Sequence, residues 1–158
     1  MGLSKEMLAW FLVNAKRHAY AFPGAIAPQP SPLAGARQIE WGEGSLLYRH
    51  TFFGSGRLVG HELVSERGEP LWGMSYAGGM ISQTEVAADE TRVHAFVRSA
   101  LQAVSRDRPY RGPAGFRDGP LGYTNDVHGD IEQFWGVEVV TVGRHSVYQL
   151  RYAGGAID

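Results

Sequence analysis

The stretch WGEGSLLYRHTFFGSGRLVGHELVSERGEPLWGMSYAGGMI, residues 41–81, has a second version in FRDGPLGYTNDVHGDIEQFWGVEVVTVGRHSVYQLRYAGGAI, residues 116–157. At an offset of 75, Gly44, Leu46, Tyr48 and Gly54 fall on Gly119, Leu121, Tyr123 and Gly129. One inserted residue makes the offset 76. Gly60, Glu62, Val64, Tyr76, Ala77, Gly78, Gly79 and Ile81 then fall on Gly136, Glu138, Val140, Tyr152, Ala153, Gly154, Gly155 and Ile157. These twelve identities close on the same YAGG tetrapeptide in each copy. Chance is a poor explanation; an internal duplication is the reading.

Around this repeat, each copy is led by an amphipathic pattern. Leu8, Phe11, Leu12, Ala15, Ala19 and Phe22 recur at helical spacing, with Lys5, Lys16 and Arg17 assigned to the other side. The spacing predicts a helix over 4–21 with Ser4 as its N-cap. The segment AFPGAIAPQPSPLAG stops it with prolines and glycines. Ser82-Gln83-Thr84-Glu85 has the form of a capping box. Behind it Val86, Val93, Phe96, Val97, Ala100, Leu101 and Val104 predict a second helix over roughly 83–104.

Between the helices the alternation is that of antiparallel strands, near 38–41, 46–53, 57–66 and 70–77, separated by Gly-containing turns. Gly78-Gly79 is expected to end the sheet with a turn at positive φ. The fold class expected is α+β, a single domain over 1–158 made of two repeats, about 4–81 and 82–157. Both helices would cover one face of a shared antiparallel sheet. Two independent half-domains of roughly 80 residues are the alternative.

Composition bounds the function. The chain has 158 residues, no cysteine, and 15 basic against 16 acidic residues for a net charge of −1. Disulfides, thiolate metal sites and a cysteine nucleophile are excluded together. No basic excess or stripe points to nucleic acid, so no nucleic acid is expected as a partner. No apolar run approaches the 18 or so residues that span a bilayer, and the N-terminus lacks a signal-peptide core. A cytoplasmic location and no membrane partner are expected. No cofactor is expected either: neither Gly-Gly pair sits in a phosphate-loop or GxGxxG context. The six histidines show no HxxxH or HxH spacing. His128-Gly129-Asp130 reads as a turn stabilised by Asp130 rather than as a metal site.

The repeated glutamates carry the site hypothesis. On 57–66, Leu58, Gly60, Glu62 and Val64 share one strand face; Phe134, Gly136, Glu138 and Val140 share the matching one. Each copy thus sets one carboxylate in an apolar strand face, two residues after a glycine that leaves room beside it. A buried carboxylate shifts its pKa upward or finds a partner. The bland reading is exposure, or pairing with Arg, Lys or backbone donors. The sharper one is a ligand cavity lined by Glu62, Glu138 and the aromatics Tyr48, Trp72, Tyr76, Tyr123, Tyr148 and Tyr152. Most of those aromatics are expected to be packing. In the loop Pro109-Tyr110-Arg111-Gly112-Pro113, Arg111 either braces helix against sheet or meets an anion.

The runs FLVNAKRHAYA at 11–21, FFGSGRLVGHELV at 52–64, PLWGMSYAGG at 70–79, RPYRGP at 108–113 and NDVHGDIEQFWGVE at 125–138 resemble a family of bacterial domains of unknown function. Its members occur alone or behind an Xre-type helix-turn-helix in transcriptional regulators. The resemblance covers nearly the whole chain, implies no activity and confers no catalytic residue. This chain has no such helix-turn-helix, and DNA binding is not expected of it. A looser analogy is to duplicated effector-binding domains in which a glutamate among aromatics binds cationic drugs; there a strand precedes each helix, whereas here the helix comes first.

A non-catalytic small-molecule binding or sensing module is therefore the leading expectation. A homodimerising interaction module that uses an uncovered sheet face is the alternative, and a carboxylate-dependent hydrolase a weaker one.

Overall fold

The structure, a computed structural model, describes residues 3–20, 29–82 and 84–158. Phe22 of the first helical pattern, residues 21–28 of the Pro/Gly connection and Gln83 of the proposed capping box lie outside the described residues. The chain is α+β. Helix α1 spans Lys5–Tyr20 and helix α2 Glu90–Gln102. The strands are β1 Gln29–Pro30, β2 Arg37–Glu43, β3 Leu46–Gly54, β4 Arg57–Glu66, β5 Glu69–Met80, β6 Gly115–Asp118, β7 Leu121–Asp130, β8 Gln133–Val142 and β9 His145–Ala156. They form one antiparallel sheet in the order β1-β2-β3-β4-β5-β9-β8-β7-β6.

Register follows the sequence alignment closely. Tyr48 faces Val64 across β3 and β4, and Tyr123 faces Val140 across β7 and β8. Gly60 faces Tyr76 as Gly136 faces Tyr152. A bulge interrupts the ladder between Val64 and Ser65, and another between Val140 and Thr141. At the centre, where β5 pairs with β9, Tyr76 and Tyr152 face each other.

Strand alternation puts Tyr48, Glu62, Val64, Trp72, Met74, Tyr123, Glu138, Val140, Tyr148 and Leu150 out of water. Phe11, Leu12 and Ala15 of α1 and Val93, Phe96, Val97 and Ala100 of α2 join the same core. The Trp72 indole N–H donates to the Ile131 carbonyl at 3.0 Å, and its ring stacks on Phe134 at 5.6 Å.

Three local expectations need correction. Lys16 is not on the polar side of α1; it is fully buried, four residues after Leu12 and four before Tyr20 on the core stripe. Helix α2 starts at Glu90, because the Asp89 carboxylate accepts from the Thr91 and Arg92 amides at 2.9 and 3.4 Å. The Thr84 hydroxyl instead accepts from the Val86 amide in a local turn. Finally, Gly78-Gly79 does not end the sheet. Both residues continue β5 with φ of 148° and 135°, pairing with Leu150 and Gln149. The positive φ is as expected, but within a strand, and a Cβ on Gly79 would also stand 2.3 Å from the Gly56 carbonyl oxygen; conformation and close backbone approach, not a turn, require glycine. The Asp130 turn is as expected: its carboxylate accepts from the Glu132 and Gln133 amides at 2.9 and 3.3 Å.

Gly60 and Gly136 are filled from the side. A Cβ at Gly60 would lie 2.5 Å from the Tyr76 hydroxyl oxygen, and one at Gly136 2.3 Å from that of Tyr152. Gly42→Ala meets nothing closer than 3.4 Å. Gly60→Ala and Gly136→Ala are each expected to lower unfolding free energy by about 1–3 kcal/mol, as overpacking does. Gly42→Ala should stay within about 0.5 kcal/mol of the parent. Urea denaturation of the three variants checks this; equal stabilities would mean the tyrosines do not occupy the space above the glycines.

Candidate functional site

The two carboxylates sit in the interior and each takes a cation from its own chain. Glu62 on β4 is 1 % exposed and Glu138 on β8 is 0 % exposed. Lys16 Nζ forms an ion pair with Glu62 Oε2 and also donates to the Tyr110 carbonyl at 2.5 Å. The Tyr20 hydroxyl donates to Glu62 Oε1 at 2.9 Å. Arg111 grips Glu138 with two N–H groups, Nη2 to Oε1 at 2.5 Å and Nε to Oε2 at 3.2 Å. Tyr123 donates to Glu138 Oε2 at 2.7 Å and Tyr148 to Oε1 at 3.4 Å. Arg111 Nη1 also reaches the Tyr20 hydroxyl at 3.4 Å, which links the two clusters.

Aromatic faces complete both sites. Lys16 Nζ lies 5.7 Å from the centroid of Trp72, and the Arg111 guanidinium 5.1 Å from that of Tyr76. Outside the ion pairs, equivalent positions hold equivalent bonds. His50 Nε2 meets the Tyr76 hydroxyl at 2.8 Å, and the Tyr152 hydroxyl donates to Asn125 Oδ1 at 2.7 Å. The Asn125 amide donates in turn to the Gly112 carbonyl at 2.8 Å, which fastens the loop carrying Arg111.

Electrostatics follow from this geometry. Burial pushes the Lys16 ammonium below its ordinary pKa, against the pull of Glu62. Burial works to raise Glu62, but Lys16, His50 and Arg111 outweigh it and hold the carboxyl below its usual range. Burial likewise opposes the charge on Arg111, yet Glu138 and Tyr20 raise the guanidinium above its ordinary value. Burial, reinforced by the nearby carboxylates, raises the hydroxyls of Tyr20, Tyr48 and Tyr123 well above the phenol value. Burial lowers His50 to about 4, so its imidazole is neutral at pH 7. Among the described residues, the Tyr48 hydroxyl and His50 Nδ1 are buried without a hydrogen-bond partner.

All nine residues singled out in the sequence, Glu62, Glu138, Tyr48, Trp72, Tyr76, Tyr123, Tyr148, Tyr152 and Arg111, are buried in this one region. Sequence reasoning missed Lys16 and Tyr20. Their positions four residues apart, continuing the stripe from Leu12, were the available signal.

The opposite face of the sheet is open. Over β4, β5, β9 and β8 it forms a concavity of about 810 Å³. Val59 and His61, Ser75 and Ala77, Arg151 and Ala153, and Trp135 and Val137 line it, with Phe53 beside them. Tyr76 and Tyr152 are also in its lining, whereas Glu62 and Glu138 are not. Val59 on β4 is 58 % and Trp135 on β8 53 % exposed, large apolar side chains on either side of the concavity, with β5 and β9 between them. The Trp135 ring stacks on His128, 4.2 Å between centroids.

Fold and site together define an α+β domain with buried, paired carboxylates and a concave sheet face that the described residues leave uncovered. The chain belongs to the family DUF5680, a domain of unknown function, which it matches over residues 50–157. No curated protein and no solved structure matches it. Among the described residues, no helix is long and apolar enough to cross a membrane.

His50 supplies a pH test of the network. The folded protein keeps it neutral down to about pH 4, while the unfolded chain takes up a proton near pH 6.5. Between those values the unfolded state binds more protons, so stability falls as pH drops, by roughly 3 kcal/mol from this group. His50→Gln, which can still bond Tyr76, is expected to show a shallower loss between pH 6.5 and 4. Denaturation midpoints across that range provide the measurement, and parallel profiles for parent and variant would show that His50 titrates normally.

Proposed function

We propose that the protein is a non-catalytic small-molecule binding module and that the concave sheet face is its binding surface. The observation that carries this reading is the concavity of about 810 Å³ with exposed Val59 and Trp135 on its sides. Its size is in the range of small-molecule pockets, roughly 300–1,000 Å³. Its floor over Ser75, Ala77 and Ala153 is low enough for a flat body to approach the backbone. Proton transfer is disfavoured because no Asp or Glu lines the concavity to orient His61, and both buried carboxylates are already satisfied. The buried residues Glu62, Glu138, Arg111 and their aromatic neighbours serve in this reading to fix the sheet's shape from behind.

The internal repeat belongs to the same proposal. One domain arose from two helix-led copies, about 4–81 and 82–157, whose helices back one face of the shared sheet. Matching registers, matching bulges and the central Tyr76–Tyr152 pairing support it. The resemblance to domains appended to bacterial regulators supports a sensing role in the cytoplasm. The exposure of Val59 and Trp135 also favours a second occupant, another copy of the chain packed face to face.

The neutral aromatic probe N-phenyl-1-naphthylamine separates these readings. It is expected to bind with fluorescence enhancement at about one site per chain, and Trp135→Ala should weaken it about tenfold or more. Sedimentation of the same samples should show a monomer. A failure to bind, or equal binding by Trp135→Ala, sinks the small-molecule reading. A dimer that Trp135→Ala dissociates would install the face-to-face alternative instead.

A further inference from the structure

Resting on that reading of the concave face, we infer that its ligand is an aromatic anion, its ring laid against Trp135 and its negative group bound by Arg151. The floor of the concavity carries one charged side chain, Arg151 of β9, and no acidic one. Arg151 makes no ion pair and no side-chain hydrogen bond with any described residue, whereas each buried carboxylate on the opposite face holds a cation. Its neighbours across the ladder are Ala77 on β5 and Val137 on β8, neither of which can accept from a guanidinium side chain. In the same row Asp126 stands one strand beyond Val137, roughly 10 Å from Arg151 by strand spacing, and is turned to His128 at 3.1 Å.

A guanidinium set among apolar and small side chains binds a planar carboxylate or sulfonate through paired N–H donors more tightly than one free in water. Trp135 lies on the adjoining row, facing Ala153 across β8 and β9, so ring and guanidinium are spaced for one small molecule. Stacking on His128 restrains the indole, which reduces the entropy lost when a ring packs against it. The selectivity is therefore for charge: neutral and cationic aromatics gain only the stacking, and a cation additionally meets Arg151.

A matched pair of probes isolates the charge, since 8-anilinonaphthalene-1-sulfonate is N-phenyl-1-naphthylamine with an added sulfonate. The anion is expected to bind about tenfold or more tightly than the neutral probe, with an affinity that falls as salt rises. Arg151→Met should abolish that preference while leaving the neutral probe's affinity within about twofold, and Arg151→Lys should keep part of it. Urea denaturation establishes that the variants fold. Equal affinities for the two probes in the parent protein, or a preference that survives Arg151→Met, would overturn the assignment of an anion and leave the binding module standing. Binding of neither probe would overturn both.

Discussion

Two carboxylates sealed into the apolar side of a sheet set the terms for everything else in this molecule. An ionised group moved from water into a protein interior costs several kcal/mol unless a charge of opposite sign and further donors meet it. Glu62 and Glu138 are met in full, the first by Lys16 and Tyr20, the second by Arg111, Tyr123 and Tyr148. Neither cation comes from the strands. Lys16 is supplied by α1 and Arg111 by the loop that follows α2. The carboxylates therefore fasten the segments between strands onto the sheet, with the Arg111–Tyr20 contact tying one fastening to the other.

Such pairs rarely add much net stability over well-packed apolar residues. Their value here is in specifying geometry. A bidentate guanidinium–carboxylate pair accepts few orientations, and the tyrosine hydroxyls around it fix the carboxylate plane further. β4, β5, β8 and β9, whose inner face carries these pairs, bear the concavity on their other face. Gly60 and Gly136 contribute from inside, since the rings of Tyr76 and Tyr152 occupy the space a side chain would take.

Much of the fold was legible in the sequence. Period-two alternation and Gly-containing turns located β2–β5 to within a few residues, and the glutamate set among aromatics pointed to the region where Lys16, His50, Glu62, Arg111, Asn125 and Glu138 are buried. Other features were not legible, for physical reasons. Alternation says that Glu62 and His61 lie on opposite faces but not which face a helix covers, so the exposed row of Val59, His61, Trp135 and Val137 attracted no notice. Lys16 read as solvent-facing because lysine nearly always is; only a carboxylate brought from 46 residues away makes its burial tolerable. The start of α2 was misread because Ser82 and Asp89 are both competent caps, and local pattern alone does not rank them. Gly78-Gly79 read as a turn because glycine pairs usually are, whereas the close passage of Gly56 against Gly79 is a tertiary fact.

The central claim, that the chain's own cations neutralise its buried carboxylates and thereby hold the sheet, is tested most directly by a double-mutant cycle on Arg111 and Glu138. Unfolding free energies would be compared for Arg111→Met, Glu138→Gln, the double variant and the parent. The account predicts a loss of about 3–5 kcal/mol in Arg111→Met, which strands a buried charge, and a double variant more stable than that single one. Additive losses, with no coupling between the two positions, would contradict it.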